Sequence, residues 1–340
     1  MKILFVWTGI TSYMADCWRE LQARRDIELK VVVDPLTDAQ SAFKAERELH
    51  DLDYRIARRS EEVAGETWMP DVIFLVGWRS EICRYFALDK KYEDVPKICC
   101  LDMPWRWKVR CLFAPLFLRR YARRFAAAYV PGAVCERYCK WIGFRRVEKG
   151  LFAIDTTRFA RSEAGSSFAK ATEDKGYFLY LGRYSKEKRI GDMVEAYKKY
   201  RATGGTKELR LYGKGADLPR GIEDVPGVRV NGFVAPSEVP TLYAGAAAFV
   251  LASAFDPWPL VLLEAMSAGC RVIASSKCTN YPELGATWGR FKVGDTSALA
   301  REMTRVDELQ VAGREVIAPY DCKTWTERTL KICSNVLSRS

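Results

Sequence analysis

Two carboxylates stand eight residues apart in the stretch LASAFDPWPLVLLEAMSAGCRVIAS, residues 251–275: Asp256 in a loop and Glu264 inside the apolar run VLLEAM. Burying a carboxylate among apolar residues is costly unless something donates hydrogen bonds to it. An ionised carboxylate only accepts, and it can take two hydroxyls side by side, so a ribose 2′,3′-diol suits Glu264. Pro259 suits the first position of a helix. Gly269 suits its end, where positive φ is cheap. The start of such a helix offers free N–H groups to an anion. The stretch predicts a nucleoside-diphosphate site with Glu264 on the ribose.

Positioning these groups requires strands that end in loops. Apolar runs predict strands at 3–6, 29–33, 72–76, 97–101 and 128–130, the last closing a first domain. Helical patterns lie at 13–25 and 134–143, and 38–63 reads as charged and helical. This alternation means a parallel, doubly wound sheet. Ligands of such sheets bind beyond the carboxyl ends of the strands, which here carry Gly9, Gly77 and Asp102. Residues 151–159 read as the crossing into a second domain, and the Ser-, Ala- and Gly-rich 161–176 as a linker. A second series follows: strands at 177–181, 208–212, 228–231 and 248–251, helices at 189–200 and 236–244, and the opening stretch with its own buried strand. A final amphipathic helix at 322–337 is expected to pack toward the first domain. The predicted domains are 1–155, 156–320 and a terminal helix at 321–340.

The 340 residues carry a formal charge of +11, which calls for an anionic partner. Eleven cysteines without a CxxC pair fit reduced thiols in a cytosolic protein. The first apolar run is too short for a signal peptide and reads as a strand. No apolar run reaches the roughly eighteen residues that would span a bilayer. Residues 104–125, PWRWKVRCLFAPLFLRRYARRF, hold seven cations and no acid, with Trp105, Trp107, Phe113, Phe117 and Tyr121 interleaved. They read as an interfacial patch for an anionic membrane, with an ordinary solvated amphipathic helix as the bland reading. Nucleic acid is not expected, because no recognised binding motif accompanies the cations.

LGRYSKEKRIGDMVEAY (181–197), LRLYGKG (209–215), NGFVAPSEVPTLYAGAAAFVLAS (231–253), DPWPLVLLEAMSAGCRVIAS (256–275) and GLFAIDTTRF (150–159) together resemble family 4 glycosyltransferases. That resemblance implies a GT-B fold, two Rossmann-like domains facing a cleft, with a terminal helix crossing back. It implies transfer of a hexose from a nucleoside-diphosphate sugar, UDP- or GDP-linked, with retention and without a metal or other cofactor. The acceptor implied is a saccharide or lipid-linked hydroxyl in polysaccharide or glycolipid synthesis, on the inner face of the cell membrane. By the same resemblance Arg183 and Lys188 match the basic pair on the diphosphate, Asp256 the first acid on donor-sugar hydroxyls, and Glu264 the second acid. Gly9 matches the glycine of the loop over the phosphates. Gly182, Gly213, Phe233, Val234, Leu260 and Val261 complete the implied donor set. Three positions depart from the pattern: Asp256 replaces a commoner Glu, Pro259 a Gly, and Arg271 a Pro. Asp102 occupies the place where many relatives carry a catalytic-site His.

Each assignment has a structural counterpart. Arg183 and Lys188 could be cap charges, and Glu264 the partner of Arg271 in a buried ion pair. Asp256 could close an Asx-turn, and Asp102 could be a turn residue. Asp51-Leu52-Asp53 matches a metal-binding DxD but sits in a charged, helix-like stretch, so no metal is expected. The alternative to an enzyme is a non-catalytic protein of the same fold that binds a nucleotide or an anionic surface.

Overall fold

The computed structural model describes residues 1–9, 11–35, 48–65, 67–104, 109–159 and 176–338. The chain forms two units. The first comprises Met1–Asp155 and Pro319–Ser340, the second Thr156–Ala318.

The first unit is built on β1 (Lys2–Thr8), β2 (Glu28–Asp34), β3 (Tyr54–Ile56), β4 (Val72–Val76), β5 (Lys97–Cys100), β6 (Ala127–Val130) and β7 (Val147–Lys149). They lie in the order β3-β2-β1-β4-β5-β6-β7, all parallel. Continuous apolar runs such as ILFVW in β1 are what a sheet covered on both faces needs. At its centre the Phe5 and Phe74 rings stack at 4.5 Å. Trp18 of helix Ser12–Gln22 and Trp325 of helix Cys322–Leu337 close over Phe5 at 5.7 and 6.0 Å. Trp325 is fully buried and donates to the Leu151 carbonyl at 2.8 Å, which pins the last helix to this unit.

The second unit holds β8 (Tyr177–Leu181), β9 (Glu208–Tyr212), β10 (Val228–Asn231), β11 (Ala246–Leu251), β12 (Arg271–Ser275) and β13 (Gly289–Phe291). Their order is β10-β9-β8-β11-β12-β13, again all parallel. In both sheets the first strand stands in the middle and the strand order reverses beside it. Such switch points, β1/β4 and β8/β11, open a crevice at the carboxyl edge.

Three expectations are corrected. The stretch 38–63 is not one helix: 36–47 fall outside the described residues, Glu48 and Leu49 are helical, Tyr54–Ile56 pair as β3 with Val31–Val33, and Glu61–Ala64 form a separate short helix. The strand at 128–130 does not close its sheet, because Val147–Lys149 add β7 beyond it. An edge strand with one apolar residue pairs through its backbone and leaves no side-chain period to read. Pro259 stands at the N-cap of helix Leu260–Ser267 instead of inside it. Gly269 does adopt positive φ, +68°, behind that helix.

Candidate functional site

The switch point of the second sheet gathers four loops. Their backbones are tied to one another. Gly182 N–H donates to the Tyr212 carbonyl (3.0 Å), Tyr184 N–H to that of Lys214 (2.9 Å) and Gly213 N–H to that of Gly232 (3.1 Å). Ala254 N–H donates to the Glu187 carbonyl at 2.7 Å. Gly213 is required by this lacing: a Cβ there would lie 1.8 Å from the Gly182 carbonyl oxygen. The glycine turn therefore acts through close backbone packing, whatever else it touches.

Arg183 follows β8 on an exposed turn whose carbonyl accepts from the Tyr180 hydroxyl at 2.7 Å. Lys188 ends the next short turn (Lys186–Lys188), and Arg189 behind it takes left-handed backbone, φ 51°. That conformation is unfavourable for a non-glycine residue. An Arg189–Asp192 fork holds the turn, with Nη2 donating to Oδ1 at 2.9 Å.

Lys188 Nζ meets Asp256 Oδ2 at 2.6 Å, with side chains only 20% and 11% exposed. Asp256 thus spends its carboxylate on a cation and not on an Asx-turn. Its backbone is fixed on both sides: its N–H donates to Lys277 (3.1 Å) and its carbonyl accepts from Thr279 (3.0 Å). The same 276–280 turn steadies the prolines. Thr279 Oγ1 donates to the Pro257 carbonyl, and Asn280 Nδ2 to that of Pro259 at 3.3 Å. Leu262 N–H takes the Pro259 carbonyl at 3.2 Å. The N–H groups of Leu260 and Val261 remain at the helix start, where a helix has no acceptor of its own for them.

One turn on, Glu264 is half-buried and its Oε2 accepts from the Tyr243 hydroxyl at 3.0 Å. Burial pushes its carboxyl above the ordinary glutamate value, while Tyr243 and the charge of Arg158 pull the other way. The expected alternative partner is elsewhere: Arg271 Nε donates to the Leu309 carbonyl at 2.8 Å, so no Glu264–Arg271 pair forms. At the β10 end Phe233 is 72% exposed, with Lys214 Nζ 5.9 Å from its ring centroid, and Val234 follows half-buried. The second unit therefore brings Gly182, Arg183, Lys188, Gly213, Phe233, Val234, Asp256, Leu260, Val261 and Glu264 to one sheet edge or the helix beside it.

The remaining two candidates belong to the first unit. Gly9 follows β1 with φ +67°, and its N–H donates to the Asp34 carbonyl at 2.9 Å. Asp102 follows β5, and burial raises its carboxyl while Arg79 lowers it. Tyr13 lies close enough to feel that carboxylate, and burial first, Asp102 among the rest, pushes its hydroxyl up to about 12. Asp51 is taken by Arg19, whose Nε and Nη2 fork onto it at 2.7 and 3.0 Å, so the DxD look-alike is an ion pair.

Of the patch at 104–125, residues 105–108 and the side chain of Arg110 lie outside the described set. The rest forms two helices, Val109–Leu112 and Ala114–Ala122. Val109, Leu112, Phe113, Leu116 and Phe117 are exposed at helical spacing. Arg119, Arg120, Arg123 and Arg124 are exposed beside them.

Sequence reasoning missed Tyr243, Thr279 and Asn280. The only sign of Tyr243 was its hydroxyl in the short helix VPTLYAG.

Residues 175–308 match the family described as Glycosyl transferases group 1. A stretch of 135 residues is 32% identical to the O-antigen chain mannosyltransferase B of Escherichia coli, covering 37% of this chain and 33% of that protein. The chain thus spans about a third of the length of the curated relative it matches. The structure of Anabaena Alr3699/HepE in complex with UDP and glucose superposes with a TM-score of 0.74 at 16% identity, over 98% of this chain and 100% of that one. The lipopolysaccharide outer core galactosyltransferase WaaB, in its apo form, gives 0.69 at 15% identity, over 100% and 99%. The fold is GT-B, with sheets of seven and six parallel strands.

Proposed function

We propose that the chain is a retaining glycosyltransferase that moves a hexose from a nucleoside-diphosphate sugar to a hydroxyl of a saccharide or lipid-linked acceptor. The observation that carries the reading is the second sheet's switch point. There two cations, a helix start and two carboxylates stand along one edge, inside the stretch that matches a glycosyl transferase family. The relatives' own descriptions, a mannosyltransferase and a protein bound to UDP and glucose, support the same class.

In this reading Glu264 takes the ribose diol, and the Leu260 and Val261 N–H groups take diphosphate oxygens. Arg183 offers those oxygens a planar fork and Lys188 a point charge. When the bond from the anomeric carbon to the diphosphate oxygen breaks, its electron pair leaves with the diphosphate. Fixed cations stabilise that charge without a proton transfer or a metal ion. The acceptor oxygen bonds to the same face of the anomeric carbon, and its proton passes to a leaving phosphate oxygen. Asp256 holds donor-sugar hydroxyls, and Asp102 orients a hydroxyl from the first unit. The donor is UDP- or GDP-linked, and screening both series of sugars with wild type and Lys188→Ala tests the assignment. Transfer undiminished in a folded Lys188→Ala protein refutes it.

We place the acceptor at a membrane because of the exposed apolar ridge Val109–Phe117 and the arginines beside it. No described helix is long and apolar enough to cross a bilayer. Aromatic and aliphatic side chains at headgroup depth, with cations over anionic lipid, fit a peripheral attachment. Flotation with phosphatidylglycerol-containing liposomes tests it; binding insensitive to lipid charge and salt counts against it.

A further inference from the structure

Tyr243 has no outlet to solvent, being 0% exposed. Its ring lies between Phe159 and Phe249, tilted steeply to each, with centroids 6.2 and 5.6 Å away. Packing alone would be served equally by phenylalanine. The hydroxyl is the part that packing does not explain, and it donates to Glu264 Oε2 at 3.0 Å. A buried tyrosine hydroxyl is expected to find a partner. Here the partner is the one carboxylate of helix Leu260–Ser267.

The bond has a geometric consequence. Glutamate has three rotatable bonds, and ordering them on a ligand costs binding free energy. A donor held on a rigid, ring-clamped scaffold orders them beforehand. It occupies one acceptor site on Oε2 and sets the plane of the carboxylate. Oε1 and the second acceptor site of Oε2 are left for two neighbouring hydroxyls. Of the other groups on the packed elements, Arg158 on helix Thr156–Phe159 acts on Glu264 through its charge, and Arg271 on β12 is turned to Leu309.

We infer that Tyr243 is a positioning residue that pre-orients Glu264 for a vicinal diol and so sets the preference for ribonucleotides over 2′-deoxyribonucleotides. The inference rests on the reading of Glu264 as the ribose acid. Calorimetric titration of wild type, Tyr243→Phe, Glu264→Gln and the double variant tests it, with UDP and GDP and with their 2′-deoxy counterparts. Tyr243→Phe removes one oxygen and leaves the clamped ring in place, and thermal unfolding checks that it folds.

Wild type should bind the ribonucleotide about tenfold more tightly than the deoxy form, the worth of one hydrogen bond to a charged group. Glu264→Gln should collapse that ratio. Tyr243→Phe should weaken the ribonucleotide several-fold and leave the deoxy form nearly unchanged, and the double variant should match Glu264→Gln alone. A purely structural tyrosine would weaken both nucleotides equally, and that result, or an undiminished ratio in Tyr243→Phe beside a collapsed one in Glu264→Gln, overturns the role of Tyr243 only. A ratio unchanged in Glu264→Gln, or no binding of either nucleotide by wild type, overturns the ribose reading as well.

Discussion

The carboxyl edges of the two sheets are made differently. In the second unit the candidate side chains sit on loops whose backbones hydrogen-bond to one another, and the two oppositely charged groups Lys188 and Asp256 touch while nearly shielded from water. In the first unit Gly9 and Asp102 stand on separate strand ends, and the most conspicuous feature is an exposed apolar ridge on helices Val109–Leu112 and Ala114–Ala122. The first arrangement suits a ligand of fixed shape and charge, since preorganised polar groups keep their geometry as charge develops. The second suits a large apolar partner recognised by area and sign of charge. In the proposed reaction the donor is the shared small molecule and the acceptor is the variable one, and the two edges divide along that line.

The contrast can be broken in several ways. Lys188→Ala should lower transfer about 100- to 1000-fold, as removal of a single charge-stabilising donor does. Asp102→Asn should lower it less. Steady-state rates with a matched donor check both, and equal losses would erase the distinction between the two edges. Gly213→Ala should destabilise the second unit by about 3 kcal/mol or more, because the new methyl meets a backbone carbonyl and not a flexible side chain. Urea unfolding followed by tryptophan fluorescence reads it, and an unchanged midpoint would mean the loops are not rigidly laced. Replacing Leu116 and Phe117 by Ser should reduce partition onto anionic liposomes about 100-fold and leave nucleotide affinity unchanged. A parallel loss of nucleotide affinity would undo the proposed separation of roles.

The smallest effect is the pH dependence of Glu264. Its carboxyl is raised by burial, so it favours the folded state below the ordinary glutamate value, and that contribution is lost as pH rises through the raised value. Ribonucleotide binding needs the ionised acceptor and should strengthen over the same interval. Stability and affinity therefore run in opposite directions with pH, and Glu264→Gln should flatten both. Affinity independent of pH in wild type would detach Glu264 from the ligand.

How much of this was legible in the chain follows the same division. Apolar runs announced β1, β2, β4, β5, β6, β8, β11 and β12, because strands buried on both faces must be continuous in hydrophobicity, and the alternating ELRLY and VRVN announced β9 and β10. Tyr54–Ile56, Val147–Lys149 and Gly289–Phe291 were not legible, since each is a three-residue edge partner chosen by backbone pairing. Glu264 stood out as a carboxylate inside an apolar run, whereas Arg183, Lys188 and the role of Asp256 came only from the resemblance of their motifs to a known family. Which cation Asp256 meets, and that Tyr243 and not Arg271 meets Glu264, depend on contacts between residues 68 and 21 positions apart, for which no local pattern exists.

The ends of the first unit's two segments lie together. Ile154 and Asp321 form an isolated parallel bridge, Ile154 N–H donates to the Tyr320 carbonyl at 3.0 Å, and Cys322 N–H to that of Ile154 at 3.1 Å. In architectural terms the second unit is an insert, entered and left at a single seam that belongs wholly to its host. A short glycine–serine bridge from Asp155 to Pro319 would keep every hydrogen bond of the seam, and closing such a loop costs only a slowly growing entropy. In chain terms the second unit is thus a cassette: excising it at the seam breaks no strand of the seven-stranded sheet.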